Sequence, residues 1–262
     1  MTTPLLRTLS ALPALALLGL LLVPLQGVHA AGHDMHRFYG YAFDEASGKY
    51  LYTEVHSHQY DGDRWLSGSV HYYGPDNHLI GEKVLDFTQD PYIPLFRLKL
   101  PQQKYEEAIT AVGPAGVELE RSIDGHREHE RIDRVTGLVA DAGFHTFIVD
   151  HLDELRAGKT LPFPFAVAGR LTSYRFRISK VAEGTLDGHP VLRLKGEADS
   201  LLRLVAPALS LTYDLTTHYL VEYRGVSNLH DPATGKAYPA VRIVFPARPP
   251  AGAPNPLPSF DS

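Results

Sequence analysis

The sequence predicts a mainly β protein: a strongly curved antiparallel sheet, or half-barrel, covered by one or two helices. Residues 37–134 read as one strand after another, separated by turn signals at hairpin spacing. The same style returns over 166–198 and 209–245. Between these stretches lies a segment whose apolar residues recur at helical rather than alternating spacing.

At the N-terminus, Arg7 precedes the apolar run LSALPALALLGLLLVPL, and GVHA follows it. A basic start, a short apolar stretch and a small-residue cleavage site describe a secretory signal peptide. Pro13 and Pro24 interrupt the run and no basic flank follows, which argues against a retained membrane helix. Cleavage after Ala30 sets Val28 at −3 and Ala30 at −1. The expected organisation is a signal peptide over 1–30, one curved-sheet domain over 31–246 and a Pro-rich, disordered tail over 247–262. The expected location is the periplasm, reached by export.

The chain has no cysteine. In an oxidising compartment the fold is then held by packing alone, and thiolate catalysis, Fe–S clusters and Cys-ligated zinc are excluded. The signal segment carries one Arg and no acid, so its removal takes the formal charge from −5 to −6. Mild acidity with interspersed signs gives no electrostatic footprint for nucleic acid.

Four strands open the domain: RFYGYAFDEA, KYLYTEVHSHQY, RWLSGSVHYY and HLIGEKVLDF. SGK, DGD and GPDN separate them, with Gly and Asn supplying positive φ and Asp bonding its own backbone. DPYIP breaks the pattern, and shorter strands follow around GPAG and DG. From Asp141 the period changes: Phe144, Phe147, Ile148, His151 and Leu155 share one helical face, and Asp150, Asp153 and Glu154 lie on the other. Asp141 is the expected cap. SLLRLVAP, 200–207, is a candidate second helical turn.

Hairpin registers assign faces. With Ser47-Gly48 and Asp61-Gly62 as two-residue turns and GPDN as a four-residue turn, one face carries Tyr39, Tyr41, Tyr52, Glu54, His56, His58, Trp65, Ser67, Ser69, His71 and Glu82. The other carries Phe38, Leu51, Val55, Leu66, Val70, Leu79 and Leu85, crossed by a row Gly40–Val55–Gly68–Lys83. Glycines abreast permit curvature, so the apolar face is expected to be concave and the Tyr/His face convex. A slip of one residue would exchange them.

Among sites of chemistry, Glu54, His56 and His58 alternate on one strand. Zinc wants three or four converging ligands, and the assumed neighbours of these imidazoles are Arg37, Tyr39, Trp65 and Ser67, so no metal is expected there. A free Ala31-Gly32-His33 terminus offers a square-planar donor set of the kind Cu(II) favours. HREHER, 126–131, lacks the second His of a zinc-protease motif, and AGKT, 157–160, follows a helix instead of opening one. No Gly-x-Ser-x-Gly occurs. Glu54 and Glu82, two strands apart on the assumed face, are a carboxylate pair roughly 10 Å apart by strand spacing.

Several phrases together carry a resemblance: YLYTEVH, GEKVLDFTQDPYIPLFRL, FHTFIVDHLDELRAGK, and LSLTYDLTTHYLVEYRGVSNL followed by AVRIVF. In this order, over most of 38–246, the chain resembles a family of uncharacterised bacterial envelope proteins. That likeness implies an envelope setting and no activity or cofactor, and Lys83 and Asp86 inherit position without a role. At fold level the pattern is similar to the half-barrel of LolA/LolB-type lipoprotein carriers, an open sheet curved round helices.

The expectation is a non-catalytic periplasmic binding or carrier protein for a hydrophobic, lipid-like ligand. That ligand would lie between the concave face and the 142–157 helix, lined by Leu51, Val55, Leu66, Val70, Phe144, Phe147 and Ile148. No cofactor, metal, nucleic acid or transmembrane segment after cleavage is expected. The alternatives are an envelope-assembly factor that binds other proteins, and a hydrolase using Glu54, His56 and Glu82.

Overall fold

Among the described residues, fifteen strands hydrogen-bond side by side in one sheet, in the order β8-β7-β6-β5-β4-β3-β2-β1-β15-β14-β13-β12-β11-β10-β9. The computed structural model describes residues 34–199, 208–232, 234–254 and 256–260. The strands are β1 Asp34–Asp44, β2 Tyr50–Asp61, β3 Arg64–Tyr73, β4 Leu79–Asp86, β5 Leu95–Leu100, β6 Tyr105–Val112, β7 Gly116–Ile123 and β8 His126–Asp133. They continue with β9 Val139–Ala140, β10 Leu161–Val167, β11 Thr172–Leu186, β12 His189–Ala198, β13 Leu209–Asp214, β14 Leu220–Gly225 and β15 Val241–Val244. The segment expected to be a signal peptide, Ala31-Gly32-His33, and the stretch 200–207 where a second helical turn is expected lie outside the described residues.

From β1, mid-sheet, the chain winds outward to β8, crosses to the opposite edge at β9 and winds back until β15 pairs with β1. That crossing has to fit between Asp133 and Val139. Such a link spans no more than about 20 Å fully extended, so the sheet must curl until its edges approach each other. Arg121 of β7 closes part of the seam by donating to the Gly169 carbonyl, 3.1 Å away, in the turn between β10 and β11. The curved, barrel-like sheet expected from the meander is the observed one.

The register differs from the two-residue-turn assumption, and the faces change with it. Gly40 pairs with Glu54, Phe38 with His56, His56 with Val70, and Val70 with Lys83. Bulges at Ala42/Phe43 and Gln59/Tyr60 supply the shift. In the second hairpin Asp61 pairs with Arg64, so Gly62 and Asp63 are the turn, with Gly62 at φ 58. Leu66 is then the extra residue of the bulge. The odd total slip turns Glu54, His56, His58 and Trp65 to the concave side and Val55 to the convex side. Phe38, Val70 and Leu85 stay concave, while Glu82 pairs with His71 and Lys99 on the convex face.

The helical segment forms two short helices, α1 Gly143–Asp150 and α2 Leu152–Arg156, where one was expected. They meet at His151, whose Nδ1 lies 2.8 Å from the Phe147 carbonyl. Asp141 does not cap α1 through its side chain; its Oδ2 instead accepts from Lys83 Nζ at 2.7 Å. Its backbone takes the left-handed conformation, φ 42.

Two hydrophobic clusters fill the concavity. One, built on β1–β7 and β15, includes Tyr52, Trp65, Val70, Phe87, Leu98, Ile109 and Leu119. The other joins α1 and α2 to β10–β13 through Phe147, Ile148, Leu155, Phe163, Ile178, Leu192 and Leu211. The described tail residues meet the convex face, where Tyr39 donates to the Pro258 carbonyl at 3.0 Å and Asn77 to the Pro256 carbonyl at 2.9 Å. Among the described residues no helix is long and apolar enough to cross a membrane.

Candidate functional site

Strand β2 projects Tyr52, Glu54, His56 and His58 inward at alternate positions. Glu54 Oε2 lies 2.9 Å from His56 Nε2, and His56 Nδ1 lies 3.3 Å from His58 Nε2. Carboxylate and imidazoles thus form one hydrogen-bonded file beneath the sheet's first half. With Glu54 ionised it accepts from His56 Nε2–H, which leaves His56 Nδ1 to accept from His58.

Aromatic rings wall this file. Phe38 stacks on His56 with centroids 4.5 Å apart, and Trp65 stacks on His58 at 4.2 Å. Phe87 backs Trp65 at 4.1 Å. Gly68, directly opposite His58, leaves the room: a Cβ there would sit 3.0 Å from the His58 ring and 3.4 Å from Trp65 Nε1. At the outer end of the file Tyr60 packs on His36, whose Nδ1 lies 3.0 Å from the Tyr219 hydroxyl. His145 of α1 approaches Trp65 edge-on and reaches the Tyr213 hydroxyl at 3.2 Å.

Burial sets the electrostatics. It holds the His58 imidazole well below its ordinary pKa, with help from the neighbouring His56, His145 and His36. Burial also pushes His145 down to about 4. Tyr52 and Tyr72 are raised well above the usual phenol value, first by burial and then by the Glu54 carboxylate. The interior therefore favours neutral imidazoles at His58 and His145 and protonated phenols at Tyr52 and Tyr72.

A second polar group lies further along the concave face. Lys83 and Asp141 form an ion pair whose side chains are only 8% and 6% exposed. Lys83 also sits 5.4 Å from the Phe96 ring centroid, and Asn228 approaches Asp141 Oδ2 at 3.4 Å. Glu107 accepts from the Tyr105 hydroxyl at 2.7 Å, and burial raises its pKa despite the nearby Lys83.

The seven apolar residues expected to line a ligand site separate in space. Val70, Phe144, Phe147 and Ile148 belong to the concave interior. Val55 is buried on the convex face, opposite Tyr39 and His71. Leu51 and Leu66 sit at bulges and are half-buried. The expected hydrolase trio is also divided: Glu54 and His56 touch, whereas Glu82 pairs with Lys99 on the convex face, 3.4 Å away. The carboxylate pair proposed for glycoside chemistry falls with it, because the sheet stands between the two groups.

Among the described residues, no group of three or more His, Cys, Asp or Glu is arranged to hold a metal ion. Both His56 ring nitrogens are engaged, by Glu54 and by His58. Sequence reasoning missed His145, the Lys83–Asp141 pair and Glu107. The usable signal was parity: Glu107 alternates with Tyr105 and Ile109, two residues that pack against the first cluster. His145 sits between Phe144 and Phe147 on a helix otherwise counted for its apolar spacing.

No protein-family model matches the chain, and no curated protein matches it. Among solved structures, it is similar to a beta-barrel-like protein of the domain of unknown function DUF1849 from Brucella abortus. The identity is 7%, the TM-score is 0.49, and the match covers 82% of this chain and 98% of the other.

Proposed function

We propose that this is a non-catalytic binding or carrier protein of the bacterial cell envelope, acting in the periplasm on a hydrophobic, lipid-like ligand. The observation that carries the reading is the cover over the concave face. Helix α1 is eight residues long, has no side-chain cap, and lays Phe147 and Ile148 on the second cluster with Phe144 half-buried beside them. A helix this short draws its stability from packing rather than from itself. An acyl chain offering equivalent apolar contact can take its place at small cost, in the manner of the LolA/LolB-type half-barrels that the sequence pattern resembles. The site would comprise Val70, Phe144, Phe147 and Ile148, with Phe38 and Trp65 towards the outer end of the file.

The test is extraction of the protein purified from the periplasm, with bound small molecules identified by mass spectrometry and metals measured on the same sample. The expected result is close to one acyl-bearing molecule per chain, lost in Phe144→Asp while circular dichroism is retained. A clean protein that stays clean after incubation with envelope lipids overturns the reading.

A second reading has one observation in its favour. The Glu54–His56–His58 file is a chain of hydrogen-bonded groups of the kind an acid–base enzyme needs, and such an enzyme would use Glu54 and His56 without Glu82. Turnover of an envelope-derived ester or glycoside, abolished by Glu54→Gln with the fold intact, would move the assignment to it.

A further inference from the structure

The convex face of β1–β3 has a buried aromatic patch that neither core cluster accounts for. Tyr41, Val55 and Tyr73 are 1%, 2% and 7% exposed, yet none belongs to either cluster. Tyr41 pairs with Thr53 and Thr53 with Tyr73, while Tyr39 pairs with Val55, so the patch is continuous across the three strands. A sheet face buried to this degree needs something lying on it.

The Pro-rich tail meets this face. The Phe260 ring lies 4.6 Å from the Tyr39 ring, and Tyr39 lies 6.1 Å from Tyr41. Pro258 is buried, and its carbonyl accepts from the Tyr39 hydroxyl at 3.0 Å. The Pro256 carbonyl accepts from Asn77 Nδ2 at 2.9 Å, in the turn between β3 and β4. The contacts are thus an aromatic anchor and two backbone carbonyls met by side-chain donors. Extended proline-rich segments are read in this way, because they lack internal hydrogen bonds and lose little entropy on docking against aromatic side chains.

We propose that the convex face of β1–β3 is a recognition groove for a proline-rich peptide of the form Pro-x-Pro-x-Phe carried by a partner protein. The chain's own Pro256-Leu257-Pro258-Ser259-Phe260 occupies it as a tethered competitor. The partner's chemistry is that of the segment already seated: proline-rich, without charge at the contact positions, with carbonyls that accept and an aromatic ring two residues after the second proline. A tethered segment acts at an effective concentration on the order of millimolar, so an untethered peptide binds the native chain weakly until the tail is displaced. The groove lies on the opposite side of the sheet from the Glu54–His56–His58 file, so the inference is independent of the carrier reading.

The experiment is fluorescence anisotropy with a labelled peptide copying residues 246–260, titrated with the full chain. Three forms are compared: wild type, a tail variant carrying Pro258→Gly and Phe260→Ala, and that variant with Tyr39→Phe. The expected result is at least tenfold tighter peptide binding to the tail variant than to wild type, reduced at least fivefold by Tyr39→Phe. A scrambled peptide of the same composition should not bind. If Tyr39→Phe disturbs the fold, Asn77→Asp removes the other donor from a surface turn and should weaken binding in the same sense. Equal binding to wild type and tail variant, or none to the tail variant, overturns the proposal. A concentration-dependent wild-type dimer abolished by Phe260→Ala also overturns it, by assigning the groove to tail exchange between copies.

Discussion

The two hydrophobic clusters fill one concavity with different materials. The cluster around α1 and α2 is close to a conventional core, with Ile148, Leu155, Ile178, Leu192 and Leu194 fully buried and phenylalanines stacked between helix and sheet. The cluster under β1–β7 is threaded with groups that packing alone does not require: Glu54, His56, His58, Lys83 and Glu107. Desolvating such groups costs free energy unless each finds a partner. Here the partners are in place, as the Glu54–His56–His58 file, the Lys83–Asp141 pair and the Tyr105–Glu107 bond. Both halves bury an apolar core, and the half under β1–β7 adds the buried ionisable groups Glu54, His58, Lys83 and Glu107 to it.

That contrast can be broken from either side. Leu155→Ala, at a site with no exposure, should cost about 4 kcal/mol through lost burial and a residual cavity, read from urea unfolding midpoints. A loss below about 1 kcal/mol would mean that the second cluster is not the anchor.

Asp141→Asn should cost about 3 kcal/mol, because it leaves the Lys83 charge buried without its counter-ion. Adding Lys83→Met should restore most of that loss, whereas Lys83→Met in a chain that keeps Asp141 should not be neutral. If the two substitutions simply add, the pair is not coupled.

The next effect is on pH dependence. The unfolded chain protonates its histidines near pH ~6.5, but the folded chain resists, His145 down to about 4 and His58 well below its ordinary value. The unfolded state therefore binds more protons as pH falls below ~6.5, so stability that is complete above that pH declines towards pH ~4. Glu107 acts in the opposite sense, since burial raises its pKa and the folded state takes its proton first. Combining His58→Gln with His145→Gln should flatten the decline in thermal midpoint over this window. An unchanged slope would place the pH dependence elsewhere.

The smallest effect is expected from Glu54→Gln, within about 1 kcal/mol, because an amide oxygen can still accept from His56. Its signature is spectroscopic: the ¹⁵N shifts of His56 should report a changed tautomer balance, and unaltered shifts would deny the hydrogen bond.

Much of this architecture was legible in the sequence. Turn chemistry at Gly48, Gly62 and Asn77 marked the hairpins, and the change of period after Asp141 marked the helices. Register was less legible, because bulges at Ala42/Phe43 and Gln59/Tyr60 leave no composition signal, and each moves every later side chain to the other face. Thus Val70 faces the interior as the turns predict, whereas Val55 and His58 lie on the faces opposite to those the turns predict. The Lys83–Asp141 contact joins residues far apart in sequence, and nothing local announces it.

The proposed carrier role puts a hydrophobic ligand on the concave face, where the chain's only tryptophan stands. Trp65 is buried between His58 and Phe87, with its Nε1 donating to the Ser67 carbonyl at 2.8 Å. The most direct measurement is its fluorescence during titration with a long-chain fatty acid and with phospholipid below its aggregation threshold. A carrier should show a saturable change in Trp65 emission at about one ligand per chain, abolished by Phe144→Asp. Emission that stays constant through the titration, in a chain shown to be free of prior ligand, would contradict it.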